Sequence, residues 1–545
     1  MGAELDTRYL ASFMLALGAA LVLIPLLIRY SAHIGLVDDA TGDARKIHSG
    51  QMPRSGGLGI VTASALAVLM VLPATTGLLS FLAAALVVIA FGLLDDVIAM
   101  KPLQKIAGQS IGIAIAMSGG MVISDVPLLG QSPEWFSYPL TFIFVLAVIN
   151  GVNFSDGMDG LAAGTTLMSL MLLFVLAVEA GHIEVAAVSL SVSAAVLGFL
   201  RFNTHPATIF MGDAGSQFLG FVVAWLAITL SQSDVTPMTT FMPLLILGIP
   251  VMDILQVVPV RVYKSLPLPG PDKEHFHHQI AKLGLFPYET VSLIYALQAI
   301  LLAAAYLTRF LDDIYVFVFF LTFTTLVLGG GFLAHHYGWR VRSAAEVTAR
   351  RRRNRMFRAI SVVHPYTGKF FGVAVHVILT VSALLGSVLA STVAAIGFTI
   401  GLLALFAYQL RMPRLRALVP RVTSYLACAI LVYGLTTSPV ISDFNLALDL
   451  GFLALAFLLA IAIRITRRSY FWITPQDLLV LLFIGMLAPQ LPINPGQGVE
   501  IGDLVFRTVV LLYACEYLLA RGPKAQDYLV YASSSALLIL GMQFL

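Results

Sequence analysis

The sequence predicts an all-α, polytopic integral membrane protein. Of its 545 residues, 59% are hydrophobic and only 11% are charged, and the mean hydropathy is +0.91. Soluble globular domains carry about 25% charged residues, so this composition excludes a soluble chain with a polar shell. Apolar runs that could cross a hydrocarbon core of about 30 Å recur from end to end, roughly eighteen of them. Because lipid offers the backbone no hydrogen-bond partners, we expect these runs to be helices.

The apolar runs divide the chain into three predicted regions. Residues 1–335 hold about 11 predicted transmembrane helices, the first at 9–28. That first run lacks a basic stretch before it and a small-residue cleavage site after it, so we interpret it as a retained helix. A basic linker follows at 336–369 and includes arginines at 350–353. Residues 370–545 hold about 7 further predicted helices.

The positions of lysine and arginine predict the orientation of the helices. If the helices alternate in direction, the basic residues all fall on one side: Arg29, Arg45, Lys46, Arg54, Lys101, Lys105, Arg201, Arg261, Lys264 and those within 340–358. Connections on the other side, such as 73–79, 124–137 and 231–240, carry almost none. Basic residues are enriched in cytoplasmic loops. We therefore predict an outside N-terminus in the inner (cytoplasmic) membrane, with the basic loops in the cytoplasm.

Four polar stretches lie at predicted helix ends on this same side. They occupy residues 92–96 (GLLDD), 150–160 (NGVNFSDGMDG), 210–216 (FMGDAGS) and 272–278 (DKEHFHH). Any one of them could be an ordinary helix end, where polar residues collect. All four together are harder to explain in that way, because the outer helix ends are not comparably acidic. We therefore predict that the four stretches meet in one site at the cytoplasmic face.

The acids of two stretches are the predicted catalytic residues: Asp95, Asp96 and Asp213. Adjacent carboxylates can divide two roles, one holding a metal while the other deprotonates or positions an acceptor. Lys105 follows closely and could neutralise a carboxylate or hold a phosphate. Asp213 is the predicted ligand of a divalent cation, Mg²⁺ with Mn²⁺ as the alternative. Since Mg²⁺ takes one or two carboxylates and completes its shell with water and substrate phosphates, the pattern predicts phosphate chemistry.

The 150–160 stretch carries a polar side chain at every third residue: Asn150, Asn153, Asp156 and Asp159. A regular helix would rotate such a row by about 60° per step. The glycines predict that the helix breaks in this stretch and that the chain bends round a ligand. Amides and acids together favour a polar, uncharged or sugar-like group. The spacing does not fit a calcium-binding loop, which needs a terminal glutamate.

Two further stretches supply predicted substrate-binding residues. Lys273, His275, His277 and His278 offer cationic and hydrogen-bonding groups that could grip a diphosphate. Three histidines also leave a zinc site open, although no cysteine or familiar spacing supports it. Lys46 and His48 form a second basic stretch in the first cytoplasmic loop, just before residues 53–57 (PRSGG).

These stretches together resemble the signatures of the polyprenyl-phosphate N-acetylhexosamine-1-phosphate transferases. Five motifs agree in the same order over residues 1–335: the first loop at 35–57, then 92–96, 150–164, 202–216 and the stretch at 272–278, which we call the histidine segment. The resemblance implies that a UDP-N-acetylhexosamine, with UDP-N-acetylglucosamine favoured, gives its sugar 1-phosphate to undecaprenyl phosphate. The products would be undecaprenyl diphosphate-sugar and UMP. Such a reaction would initiate a cell-surface polysaccharide such as the O-antigen of lipopolysaccharide.

The resemblance also implies roles for individual residues. Asp213 resembles the metal-binding acid and Asp95 with Asp96 the essential acidic pair, while the polar residues of 150–160 resemble the donor-binding stretch. The histidines would lie near the diphosphate. Gln279 departs from the pattern, because many members have an arginine there that would bind phosphate in a bidentate manner. Either a direct attack by the acceptor phosphate or a covalent phosphosugar intermediate on Asp95 or Asp96 fits these residues, and we favour the direct route.

Two questions stay open at the level of the sequence. The extension at 370–545 could be a stabilising or oligomerising bundle, for example in a homodimer, could handle the lipid product, or could dock a later glycosyltransferase. We expect no nucleic-acid partner. The alternative function is a cation-coupled transporter, because acids within membrane helices often mark ion pathways. Asp253 is the best support for it, yet transport sites tend to lie at the midplane between repeats, and no internal repeat is visible.

Overall fold

The part of the protein that the structure describes is almost entirely helical, as predicted. This computed structural model describes residues 7–39, 51–126, 129–233, 238–263, 265, 275–342, 364–385, 391–409, 419–436, 438, 444–465, 501–519 and 521–542. Eight of the described helices are long and apolar enough to cross a membrane. The chain is thus an all-α, multi-pass membrane protein. The number of spans stays a prediction, since part of the C-terminal region, at 466–500, lies outside the described residues.

The described chain divides into two compact units, which we call the core unit and the C-terminal unit. The core unit holds thirteen described helices: α1 Thr7–Tyr30, α2 Gly56–Val71, α3 Thr76–Ile98, α4 Pro102–Ser118, α5 Glu134–Ser155, α6 Leu161–Glu179, α7 Ile183–Asn203, α8 Gly212–Ser231, α9 Met242–Ile246, α10 Gly248–Tyr263, α11 Phe276–Lys282, α12 Pro287–Thr308 and α13 Asp313–His336. Two short antiparallel hairpins accompany them, β1 Val37–Asp39 with β2 Gln51–Pro53, and β3 Asp125–Val126 with β4 Gly130–Gln131.

Three helices form the centre of the core unit. Over their apolar windows α6 and α8 are 94% buried and α7 is 83% buried, whereas α3 and α5 are 39% buried. Helix α8 packs against α2, α3, α5 and α6. Because α8 begins with the 210–216 stretch, the polar ends of the surrounding helices are brought to that stretch.

Helix ends in the core unit follow from local sequence. The hydroxyl of Thr75 accepts a hydrogen bond from the Leu78 backbone N–H at 3.0 Å and caps α3. Pro102 begins α4, where a missing N–H costs nothing. Gly160, at φ 77°, separates α5 from α6. The predicted break within 150–160 is therefore confirmed, but it is confined to 156–160, and Asn150 and Asn153 lie on the last turns of α5.

The C-terminal unit holds six described helices: α14 His364–Leu385, α15 Ser391–Gln409, α16 Val419–Thr436, α17 Asn445–Ile465, α18 Ile501–Leu519 and α19 Pro523–Met542. Helix α19 packs against α14, α15 and α16, and α18 packs against α16. The only two cysteines of the chain, Cys428 and Cys515, are fully buried between α16 and α18, with their sulfur atoms 3.7 Å apart. Arg507 is also fully buried in this unit.

Candidate functional site

The 210–216 stretch is held by the first-loop stretch at 53–57 through backbone hydrogen bonds. The Gly56 N–H donates to the Phe210 carbonyl at 3.0 Å, and the Gly57 N–H donates to the Met211 carbonyl at 2.8 Å. In return the Phe210 N–H donates to the Pro53 carbonyl at 2.7 Å. Two motifs that lie more than 150 residues apart in the sequence thus form one structural unit.

Glycines allow the close approach of three elements at this point. A Cβ atom on Gly57 would lie 2.5 Å from the Gly215 Cα, and one on Gly92 would lie 2.5 Å from the Ala214 Cα. Real Cβ atoms essentially never come that close to backbone. The glycines of the first-loop, 92–96 and 210–216 stretches therefore have a common physical reason, which is the packing of α2 and α3 on the first turn of α8.

Asp96 caps the first turn of α8. Its carboxylate accepts hydrogen bonds from the backbone N–H groups of Asp213, at 2.9 Å, and Ala214, at 3.1 Å. Gly212 adopts φ 76°, and a Cβ atom there would lie 2.6 Å from an Asp96 carboxylate oxygen. A carboxylate at a helix N-terminus pairs with unsatisfied N–H groups and with the positive end of the helix dipole. Asp96 therefore fixes the position of Asp213.

Lys105 joins the carboxylates of the 92–96 and 210–216 stretches. Its ammonium group forms an ion pair with Asp95 and lies 3.7 Å from the Asp213 carboxylate. The other oxygen of Asp95 accepts a hydrogen bond from the Met100 N–H at 2.7 Å. Lys105 is 30% exposed and Asp213 is 25% exposed, so both can be reached by a ligand. Lys105 thus pairs with carboxylates in this structure, and its predicted binding of a phosphate stays a prediction.

Asn153 links the 150–160 stretch to Asp213. Its amide N–H donates to the Asp213 carboxylate at 3.0 Å, and its amide oxygen accepts from the Ser216 hydroxyl at 2.6 Å. Asn150 donates to the Gln109 side chain at 2.9 Å, and Gln109 donates to Gln217 at 3.1 Å. Ser216, Gln109 and Gln217 are not among the residues that the sequence predicts for the site. The signal was available, because each lies three or four residues after a predicted site residue and thus shares its helix face.

The turn at 156–160, which we call the donor turn, carries two acids in different situations. Desolvation, followed by the nearby charges of Asp213 and Asp96, raises the pKa of Asp156 to about 7. One Asp159 oxygen lies 2.8 Å from the His205 ring nitrogen Nδ1 and accepts from the Ala207 N–H at 3.1 Å. Asp159 therefore holds the loop before α8, whereas Asp156 lies close enough to Asp213 and Asp96 for their charges to raise its pKa.

The histidine segment packs on the donor turn. The side chain of His277 is in direct contact with Gly157, where a Cβ atom would collide with the imidazole. Burial lowers the pKa of His277 to about 3, so this histidine is neutral at pH 7. In this state His277 can offer a neutral hydrogen bond, and the binding of a diphosphate by the histidine segment stays a prediction. The ring centroids of His277 and His278 lie 4.2 Å apart.

Asp253 explains where the histidine segment sits. One of its carboxylate oxygens lies 2.8 Å from Nδ1 of His275, and the other accepts from the Phe276 N–H at 2.6 Å. This acid was the main support for a transporter, because a membrane carboxylate without a partner would mark an ion path. The structure pairs it inside the protein instead. Its role could not be recognised from sequence, because nothing in the spacing connects α10 to the start of α11.

Asp213 fits the predicted divalent cation through the chemistry of its surroundings. It is a partly exposed carboxylate with Asp95, Asp96 and Asp156 nearby, and Mg²⁺ needs only one or two such ligands. Within the described ranges, no three His, Cys, Asp or Glu side chains form a group that could hold a metal, so both the magnesium and the zinc sites stay predictions. Lys46, His48 and Lys273 lie outside the described residues.

The chain is similar in sequence to several known transferases. The profile described as glycosyl transferase family 4 matches residues 78–231. A probable undecaprenyl-phosphate N-acetylglucosaminyl 1-phosphate transferase of Bacillus subtilis is 34% identical over 334 residues, which are 59% of this chain and 92% of that protein. The undecaprenyl-phosphate alpha-N-acetylglucosaminyl 1-phosphate transferase of Escherichia coli O157:H7 is 29% identical over 59% of this chain and 90% of its own length.

A third relative extends the comparison to another lipid. The decaprenyl-phosphate N-acetylglucosaminephosphotransferase of Mycobacterium leprae is 30% identical over 46% of this chain and 72% of its own length. Most of the length of each relative is thus matched by part of this chain. The chain belongs to the polyprenyl-phosphate N-acetylhexosamine-1-phosphate transferases of glycosyl transferase family 4.

Proposed function

We propose that the core unit transfers N-acetylglucosamine 1-phosphate from UDP-N-acetylglucosamine to undecaprenyl phosphate. The products are undecaprenyl diphosphate-N-acetylglucosamine and UMP. The observation that carries the proposal is the placement of Lys105 between Asp95 and Asp213, with Asn153 bonded to the same Asp213 carboxylate. Such a mixture of a cation, acids and amides suits two phosphorylated substrates. The names of the relatives supply the sugar and the lipid.

The proposed mechanism assigns binding and charge neutralisation to the residues of the cluster. Asp213 would hold Mg²⁺, which when bound neutralises the phosphate oxygens of the donor. Lys105 would hold the acceptor phosphate. Both oxygens of Asp96 accept backbone hydrogen bonds and hold Asp213, whereas one oxygen of Asp95 pairs with Lys105. Asp95 would therefore orient Lys105 and help to deprotonate the acceptor. Phosphoryl transfer depends mostly on positioning and charge.

The bond changes follow a single displacement. An oxygen of the undecaprenyl phosphate attacks the β-phosphorus of the UDP-sugar, a new P–O bond forms, and the bond to the α-phosphate oxygen breaks. UMP leaves with the electron pair. We favour this route over a covalent intermediate because the acceptor phosphate is already an anion. Recovery of a phosphosugar on Asp95 or Asp96 in the absence of lipid acceptor would contradict it.

The proposed location is the cytoplasmic face of the inner membrane. The soluble donor reaches the helix ends from the cytoplasm, and the lipid acceptor reaches them from the bilayer. The distribution of lysine and arginine among the loops supports this orientation.

The test is Mg²⁺-dependent release of UMP from a panel of UDP-sugars with undecaprenyl phosphate. We expect release with UDP-N-acetylglucosamine and a loss of about 10²–10³-fold in Asp213→Asn. The matched control is Asp313→Asn, which changes another acid in the first turn of a core helix. If the folded native chain releases no UMP from any UDP-N-acetylhexosamine, the proposal fails.

A further inference from the structure

Asp253 is a buried acid that the proposed reaction does not use. It lies on α10, and its side chain is only 2% exposed. A carboxylate taken out of water is costly unless hydrogen bonds satisfy both oxygens. Here one oxygen faces the His275 ring and the other accepts from the Phe276 N–H. Both partners belong to the histidine segment, so the cost of burial is offset only when that segment is in place.

The short helix α11 depends on this contact. It has seven residues, begins at Phe276 and has His275 as its N-cap, but the His275 side chain makes no capping hydrogen bond. The first N–H groups of a helix need acceptors from outside the helix, and helices this short are marginal alone. Asp253 supplies such an acceptor from α10. The carboxylate thus fixes both where α11 begins and how the His275 ring is turned.

The same contact extends to the donor turn. The His275 ring lies 4.9 Å from the ring of Phe154 on α5, and the rings of His275 and His277 are parallel with centroids 6.0 Å apart. His277 in turn packs on Gly157 of the donor turn. Nε2 of His277 is buried without a hydrogen-bond partner among the described residues. This polar atom, in a side chain that is 3% exposed, is held against the turn that the reaction assigns to the donor.

We propose that Asp253 is a positioning residue for the UDP-sugar. It seats the histidine segment on the donor turn through His275 and Phe276, and it does not itself contact either substrate. The inference rests on the proposed function, in which the donor turn binds the UDP-sugar. It assigns to this buried acid a role in donor affinity rather than in ion transport.

The chain provides a matched control for a merely structural carboxylate. Asp313, at the start of α13, accepts from the Thr240 hydroxyl at 2.6 Å and from the Phe241 N–H at 3.2 Å. It therefore joins two segments of the core unit with one hydrogen bond from a side chain and one from the backbone. Its partners belong to the connection before α9, not to the histidine segment or the donor turn.

The first experiment compares KM values for the two substrates in Asp253→Ala, Asp253→Asn and Asp313→Ala. We expect Asp253→Ala to raise KM for UDP-N-acetylglucosamine about tenfold, with KM for undecaprenyl phosphate unchanged. Asp253→Asn should recover part of the donor affinity, because its amide oxygen can still accept from Phe276. Asp313→Ala should leave both KM values unchanged. Equal changes for both substrates, or the same donor effect in Asp313→Ala, would overturn the proposal.

The second experiment does not depend on activity. Hydrogen exchange is measured over 275–282 and 156–160 in the native chain and in the same variants. We expect faster exchange in both segments for Asp253→Ala and in neither for Asp313→Ala. Unchanged exchange at 156–160 would overturn the positioning role, whereas a native chain without UMP release would refute only the proposed function. If Asp253→Ala does not fold, Asp253→Asn serves for both measurements.

Discussion

The core unit and the C-terminal unit both bury charged groups, but they use them differently. In the C-terminal unit, Arg507 is fully buried, and its guanidinium donates to Asp449 at 2.8 and 2.9 Å, with Thr436 and Asn445 each at 3.3 Å. In the core unit, Lys105 stays 30% exposed and faces two acids, Asp95 and Asp213. A buried charge with several internal partners ties helices together. A partly exposed cation among several acids is suited to exchange its partners for those of a ligand.

The largest expected effect sharpens this contrast at Lys105. Lys105→Gln leaves Asp95 and Asp213 without their shared cation and without a group for the acceptor phosphate. We expect UMP release per folded molecule to fall about 10²–10³-fold. Lys101→Gln, at an exposed lysine one turn earlier, is the control and should stay within about twofold of the native rate. If Lys105→Gln keeps most of the activity, the proposed role of Lys105 in the reaction is wrong.

The second prediction tests whether the buried Arg507 stabilises the C-terminal unit. Arg507→Met leaves Asp449 without its partner, and breaking a buried pair costs about 3–5 kcal/mol. We expect a loss of about 3 kcal/mol, because the Asp449 side chain is 30% exposed and can regain water. The free energy of unfolding in detergent measures this loss, and Asp449→Leu in the same chain should recover part of it. A folded Arg507→Met protein with reduced UMP release would show that the C-terminal unit also contributes to the reaction.

A third prediction concerns glycines and is expected to be smaller. Gly57→Ala places a methyl group 2.5 Å from the Gly215 Cα, so backbone must move, at a cost of about 1–3 kcal/mol. Gly329→Ala on α13 meets nothing within 4 Å and should be neutral or stabilise the helix by about 0.5–1 kcal/mol. Thermal unfolding of both variants measures the difference. Equal midpoints would contradict the close packing of α2 on α8.

A fourth prediction is a pH dependence at Asp156. The pKa of this carboxyl is about 7 in the folded chain against an ordinary 3.8, so the folded state holds its proton more tightly than the unfolded state. The stability from this group is full below about pH 4 and is lost as the pH rises through 7. In buffer without divalent cations, the melting temperature of the native chain should fall relative to Asp156→Asn between pH 4 and 8. A constant difference would contradict the assigned pKa.

Much of the architecture could be predicted from sequence because hydropathy reports directly on membrane crossing. The polar stretches also stand out, since an acid such as Asp213 is unusual beside an apolar run. Their common side follows from alternating helices and the basic loops, and the contacts of Lys105 and Asn153 with Asp213 bear out their convergence. The sequence alone could therefore identify polar residues at helix ends as candidates for the site.

The remaining features depend on which helices face each other, and spacing along one helix does not contain that information. Asp253 pairs with His275 across 22 positions, and Asp159 lies beside His205 across 46. The pKa of His277 likewise depends on how deeply its side chain is buried, and the sequence motif does not contain that information. Such contacts become predictable only when the packing partner of each helix is known.

The buried cysteine pair makes the protein convenient for chemical labelling. Cys428 and Cys515 are the only thiols in the chain, and both are fully buried. A thiolate reacts only when a reagent can reach it, so a membrane-impermeant maleimide should leave the folded native chain unmodified. A single cysteine introduced into a loop would then be the sole accessible target. The side of the membrane on which each loop lies can be mapped in this way without replacing a native residue.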